Sequence, residues 1–348
     1  MSSNPIIPKA KDISQNEYTN SKLPEALPDN FIRSLTAGNR QHKNIMNGVN
    51  GIKCDERKID ENDSSLVNYP STVPNIVLVQ KIIDYYGYFT ESIKRELHFI
   101  ITEWNNCNRN YFHLNIALER YQKIFNITSK EEARKRIKTT VKVLISCSIV
   151  IFNDNKSNYS ATNIPIFKDI HYKRNIIIIV FSEDFSDILK GVNSSILINQ
   201  VVYQLPLTAF FLYLRLMNHK KMNVNKYNEN IISVSSLLES CTSLPSEEKI
   251  EEDLTNRIKK PFEKGMERLE KEEILKEWYY CRSDGNRLSE KELREERFLY
   301  KKFKTYHVKY TMNNNDEIRK VYLKSLKNKK NYQDRVKNRK KITPKKLS

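Results

Sequence analysis

Between Leu254 and Tyr280 the chain reads LTNRIKKPFEKGMERLEKEEILKEWYY. Apolar Ile250, Leu254, Ile258, Phe262, Met266 and Leu269 recur at steps of four, with a last step of three. That is the stripe of an amphipathic helix with one face against a core. On another face Arg257, Lys260, Lys264 and Arg268 line up at steps of three, four and four, and Lys259 lies beside them. The helix then runs through Ile274 and Leu275 into Trp278, Tyr279 and Tyr280, aromatic residues that suit a strand. A cationic helix that leads straight into a strand constrains the rest of the chain. Its charged side must face solvent or a polyanion. Pro261 inside the stripe predicts a kink, or two helices that meet there.

Charge says which partner to consider. The chain of 348 residues carries +18, enough length for two or three domains. Residues 301–348 hold 17 Lys or Arg against Asp316, Glu317 and Asp334, so +14 sits there and +4 in the first 300. Such asymmetry points to nucleic acid or an anionic surface. Apolar runs such as Ile176–Phe181 are far shorter than the roughly 20 residues of a spanning helix, so no membrane partner is expected. Met1–Lys11 contains Pro5 and Pro8 and lacks the apolar core of a secretory signal. Cys54, Cys107, Cys147, Cys241 and Cys281 show no zinc-ligand spacing and read as reduced thiols of a cytoplasmic protein.

Along the chain, residues 1–73 are polar and proline-broken, and read as a largely disordered arm with a short helix possible around Asn30–Leu35. Ile76–Val79 begins structured chain. Ile93, Leu97, Ile100, Ile101 and Trp104 have helical period, Tyr111–Leu114 is a strand candidate, and Ile116–Phe125 is a second helix. Ser129 and Glu132 form a capping box. The helix it opens turns Ile137, Val141 and Leu144 inward. It carries Arg134, Lys135, Arg136, Lys138 and Lys142, a second cationic group. Cys147–Phe152 and Ile176–Phe181 read as the strands that follow.

The order recurs roughly 120 residues later. Pro206–Asn218 is an apolar helix, Ile231–Val234 a strand, and Ser235–Ser240 a short helix. Then come the long basic helix, opened at Pro245–Glu248, and the strand Trp278–Arg282. A turn at Ser283–Asn286 and a charged insertion at 288–298 precede the returning strand Tyr306–Met312. Helix, strand, helix, helix and a strand pair is winged-helix order, in which a helix enters the major groove and the hairpin grips the backbone. The expected class is therefore α+β, mainly α, with two tandem winged-helix domains at 74–192 and 193–323. A basic tail at 324–348 adds unspecific phosphate contacts.

No catalytic constellation appears. Seven glycines form neither a P-loop nor a dinucleotide fingerprint, and no two of the six histidines lie within four residues. We expect no enzyme activity, no cofactor and no metal. The expected DNA-binding residues are Arg257, Lys259, Lys260, Lys264, Arg268, Arg134, Lys135, Arg136, Lys138, Lys142, Arg282 and Arg287.

The run Asn256-Arg257-Ile258, Pro261-Phe262-Glu263, Leu269-Glu270, Ile274-Leu275 and Trp278-Tyr279-Tyr280 resembles the second winged helix of bacterial plasmid replication initiators. The chain from about Pro74 to Met312 is similar to their two-winged-helix plan. That resemblance implies binding to double-stranded origin repeats, opening of the duplex, and recruitment of a host replicative helicase or initiator. It also implies dimerisation through the N-terminal winged helix. A winged-helix transcriptional regulator would show the same helices.

Overall fold

The computed structural model describes residues 32–36, 49–71, 75–82, 87–106, 112–155, 158–173, 175–190, 194–244, 255–293, 300–324, 326, 327 and 330. The expected helix start at 245–254, most of the arm and the tail beyond 330 lie outside them.

The arm does contribute structure. Strand β1 (Ile32–Thr36) stands where local sequence allows a short helix, because its partner lies some 160 residues away, beyond the reach of local propensity. Residues 49–56 bury Val49, Ile52 and Cys54, and Ile52 bridges to Ser71. Strands β2 (Lys58–Ile59), β3 (Leu66–Pro70) and β4 (Ile76–Lys81) follow, with Val67 and Tyr69 alternating inward on β3. The buried Val49, Ile52, Cys54, Val67 and Tyr69 give no sustained period, so residues 49–70 are silent in sequence.

Helix α1 (Glu91–Asn106) buries Leu97, Ile100, Ile101 and Trp104. Strand β5 (His113–Ala117) leads into α2 (Leu118–Phe125), which ends at left-handed Asn126. Ser129 then caps α3 (Lys130–Ile145), its Oγ accepting the Glu132 amide at 3.2 Å. Strands β6 (Cys147–Asn155) and β7 (Asn158–Pro165) form one long hairpin, followed by β8 (Phe167–Lys173) and β9 (Ile176–Phe181). Cys147–Phe152 and Ile176–Phe181 are both strands, as expected, but the winged-helix order would make them neighbours and they are not. β6 pairs with β4 and β7 in a five-stranded sheet of order β2-β3-β4-β6-β7, and β8 pairs with β9. The β-rich run has an equally long complementary strand directly after it, and the hairpin they make closes locally before β9 is reached.

What remains is a compact motif. β5, β9 and β8 form a three-stranded sheet in that order beside α1, α2 and α3. Helix α4 (Glu183–Lys190) and strand β10 (Ser194–Ile198), the partner of β1, close the first unit.

The second unit repeats the motif. Helix α5 (Leu207–Asn223) starts after Pro206, and β11 (Ile231–Ser233) runs into α6 (Val234–Ser240), where the Ser233 hydroxyl accepts the Ser236 amide. A π-helical turn at Thr255–Lys259 passes into α7 (Lys260–Lys271). The change of helix type falls where Pro261 predicts a break. Pro261 occupies the first turn of α7, where its missing N–H leaves no bond unmade. Gly265 lets α7 approach α5 closely, since a Cβ there would stand 2.9 Å from Leu212 Cδ1. Strand β12 (Leu275–Cys281) follows.

The insertion is not a free hairpin tip. It holds α8 (Glu290–Leu293) and is followed by α9 (Tyr300–Thr305), and β13 (His307–Met312) then completes a sheet of order β11-β13-β12. Phe303 of α9 packs 5.8 Å from Phe262 and 5.9 Å from Tyr280, ring to ring. Both units thus have the strand order of a winged helix, and the class is α+β. Their cores are continuous: Tyr203 lies against Phe99, Phe125 and Phe210, and Arg95 donates to the Leu205 carbonyl at 2.7 Å.

Candidate nucleic-acid interface

In the first unit, α3 turns Ala133, Ile137, Thr140, Val141 and Leu144 inward. The opposite side exposes Glu131, Lys135, Lys138 and Lys142 at steps of four, three and four. The five cations expected on this helix divide into two groups. Lys135, Lys138 and Lys142 are exposed, and the Lys138 ammonium lies 4.7 Å over the Tyr172 ring on β8. Arg134 and Arg136 serve the fold. Arg134 donates to Asn175 Oδ1, and Asn175 is the left-handed residue (φ 66°) of the β8–β9 turn. That bond fastens helix to hairpin.

Arg136, one of the expected contacts, is half-buried and anchored to the helix behind. Its Nε donates to Glu96 Oε1 at 2.6 Å, and its guanidinium stacks 4.8 Å over Phe125. Glu96 is 2% exposed and also accepts from Tyr121 and Thr140. A buried carboxylate needs such partners. Composition could not reveal them, because Glu96 stands 40 residues before Arg136 on another helix. β8 adds two exposed cations outside the expected set, Lys168 and Lys173. Their signal was the alternation just before Ile176.

In the second unit, the buried face comprises Ile258, Phe262, Gly265, Met266 and Leu269. Arg257, Lys260 and Lys264 are exposed on the other side and continue past Glu267 to Lys271. Lys259 is half-buried. Arg268 departs from the stripe, for it is half-buried and paired with Glu272 at 2.6 Å. Glu263 turns inward and accepts from the Tyr280 hydroxyl at 3.2 Å. Burial raises its carboxyl above the ordinary range, against the pull of the Lys259 charge.

At the hairpin, Arg282 is exposed and paired with Glu292 at 2.8 Å. Ser289, through its amide and hydroxyl, and then Arg282 hold the Glu292 carboxyl down at about 2. Arg287 lies 5.1 Å from the Tyr279 ring centroid and Lys309 5.9 Å from the same centroid. Lys309 is a further cation outside the expected set. Ring and cations come together because Tyr279 and Lys309 are paired residues of β12 and β13.

Each unit therefore presents an outward helix with three aligned lysine or arginine side chains, next to a strand pair that carries more. A helix of this width fits the major groove, and cations on the adjoining strands suit phosphates. Among the described residues no three His, Cys, Asp or Glu side chains stand close enough to hold a metal ion. No described helix is long and apolar enough to cross a membrane.

No protein-family model matches the sequence, and no curated protein does. Among solved structures, a chain comprising domains 2 and 3 of RctB is similar, with a TM-score of 0.46 at 10% identity. The match covers 77% of this chain and 98% of that one.

Proposed function

We propose that this chain is a duplex-DNA-binding replication initiator of a plasmid or phage, acting in the cytoplasm and without enzymatic chemistry of its own. It binds repeated sequences at the origin, promotes opening of the neighbouring duplex, and brings in the host replicative helicase or initiator. A dimer is the proposed resting form. One observation carries the reading. Two units with the same strand order each expose a helix whose cations, Lys135, Lys138 and Lys142 in one and Arg257, Lys260 and Lys264 in the other, face away from a committed apolar core.

The test uses the purified chain with DNA from around its own gene. Binding should be tighter to direct repeats there than to random duplex at one salt concentration, and permanganate should detect unpaired thymines beside the repeats on supercoiled DNA. Binding without opening would make the chain a transcriptional regulator. Absence of duplex binding would remove the proposal.

A further inference from the structure

Lys94 lies on the first turn of α1 and its side chain is fully buried, at 0% exposure. Its ammonium donates to the Ile52 carbonyl at 2.9 Å and to Thr242 Oγ1 at 2.9 Å. Glu91 Oε2 stands 3.9 Å away, and the Phe211 ring centroid 5.0 Å away. Thr242 in turn donates to Glu91 Oε2 at 2.9 Å. Burying an ammonium is unfavourable unless its hydrogens find acceptors. Here the acceptors come from segments 42 residues before it and 148 after it.

Those segments are significant in themselves. Ile52 is bridged to Ser71, and the Lys53 amide donates to the Pro70 carbonyl at 3.1 Å, so residues 49–56 are fastened to the end of β3, a strand of the five-stranded sheet. Thr242 lies two residues past the end of α6 and precedes the chain that leads to α7. One nitrogen therefore ties the first unit's sheet and leading helix to the turn before the second unit's outward helix.

We propose that Lys94 is the pin that locks the two units into one rigid body, so that α3 and α7 are held at one fixed spacing. Residues 49–56 act as the clasp around it. The consequence for DNA, that both helices meet a single site of set length, rests on the duplex-binding reading above. The locking itself does not.

The chain's two tryptophans allow a direct test, since Trp104 lies in the first unit and Trp278 in the second. Trp278→Phe and Trp104→Phe each leave one reporter of urea unfolding. The two midpoints should coincide in the otherwise unchanged chain. Thr242→Val removes the hydroxyl at constant shape and should separate them by about 0.5 M urea or more. Thr242→Ser, which restores the hydroxyl, should bring them back together. Lys94→Met should separate them as Thr242→Val does, and if that variant does not fold, the threonine pair still decides. The proposal is overturned if the midpoints already differ in the parent, or if Thr242→Val moves both together. Failure of the chain to bind any duplex would remove the DNA reading and leave coincident midpoints standing.

Discussion

The Arg136 guanidinium meets the Glu96 carboxylate at 2.6 Å, with Glu96 2% exposed and Arg136 half-buried over Phe125. Cation and anion come from α3 and α1, so this pair holds the lysine-bearing helix to the helix behind it. Arg136→Ala should leave Glu96 with Tyr121 and Thr140 alone and destabilise the chain by about 2–3 kcal/mol. Urea melts measure that. At temperatures where the variant stays folded, its ratio of repeat to random DNA affinity should match that of the parent. A change in the ratio at intact stability would return Arg136 to the contact surface.

Lys135, Lys138 and Lys142 should behave in the opposite way. Each is exposed, so replacement by Ala costs little stability, within about 0.5 kcal/mol. If each touches one phosphate, removing all three lowers the slope of log affinity against log salt by about 2.7. Fluorescence anisotropy across a salt series gives the slope. An unaltered slope would mean that the first unit faces something other than DNA.

Arg257 is the first choice for a base contact in the second unit. It is exposed, and guanidinium is well shaped for the guanine edge. Arg257→Ala should reduce discrimination between repeat and random duplex by about 1–3 kcal/mol. Lys260→Ala and Lys264→Ala should weaken both alike. Competition assays at one salt concentration separate the two behaviours.

Two histidines set the response to acid. Burial, with Lys94 adding to it, pushes His98 down to about 3. Burial, with Arg215 and Lys220 adding to it, pushes His219 down to about 4, and His219 shares a 3.0 Å hydrogen bond with the Tyr310 hydroxyl. Both are neutral in the fold, while the unfolded chain takes up protons near the ordinary value of 6.5. The unfolded state thus binds more protons between about pH 6.5 and 4. Stability is full above that window and falls as pH drops through it, by up to about 1.4 kcal/mol per pH unit for each imidazole. Melts at pH 7, 5.5 and 4.5 should show the decline, and His219→Gln should make it shallower. A flat profile would mean that neither imidazole is sequestered.

Local grammar was plain in the sequence. Ser129 capped the helix that it should, Asn126 ended the one before, and Pro261 marked the change of helix type. The outward cations Lys138 and Lys264 followed from apolar period alone. What escaped depends on partners distant in the chain. Arg136 and Lys138 are alike in a pattern of charges, and Glu96 is what distinguishes them. Cys147–Asn155 and Phe167–Lys173 are both strands before Ile176, and only ladder pairing decides which one β9 takes. The burial of Val49, Ile52 and Cys54 leaves no period to read, because the segment is held by Ser71, Pro70 and Lys94, all later in the chain.

The Lys94–Thr242 bond also bears on synthesis. At about 5–20 residues per second, the ribosome needs on the order of 10 s to make the 148 residues that separate the two. The last 44 of them, from the end of β10 to Thr242, follow completion of the first unit, and until they are made its ammonium lacks its second acceptor. The unit that leaves the ribosome first is therefore the one that waits, and its final closure is timed by the emergence of its successor.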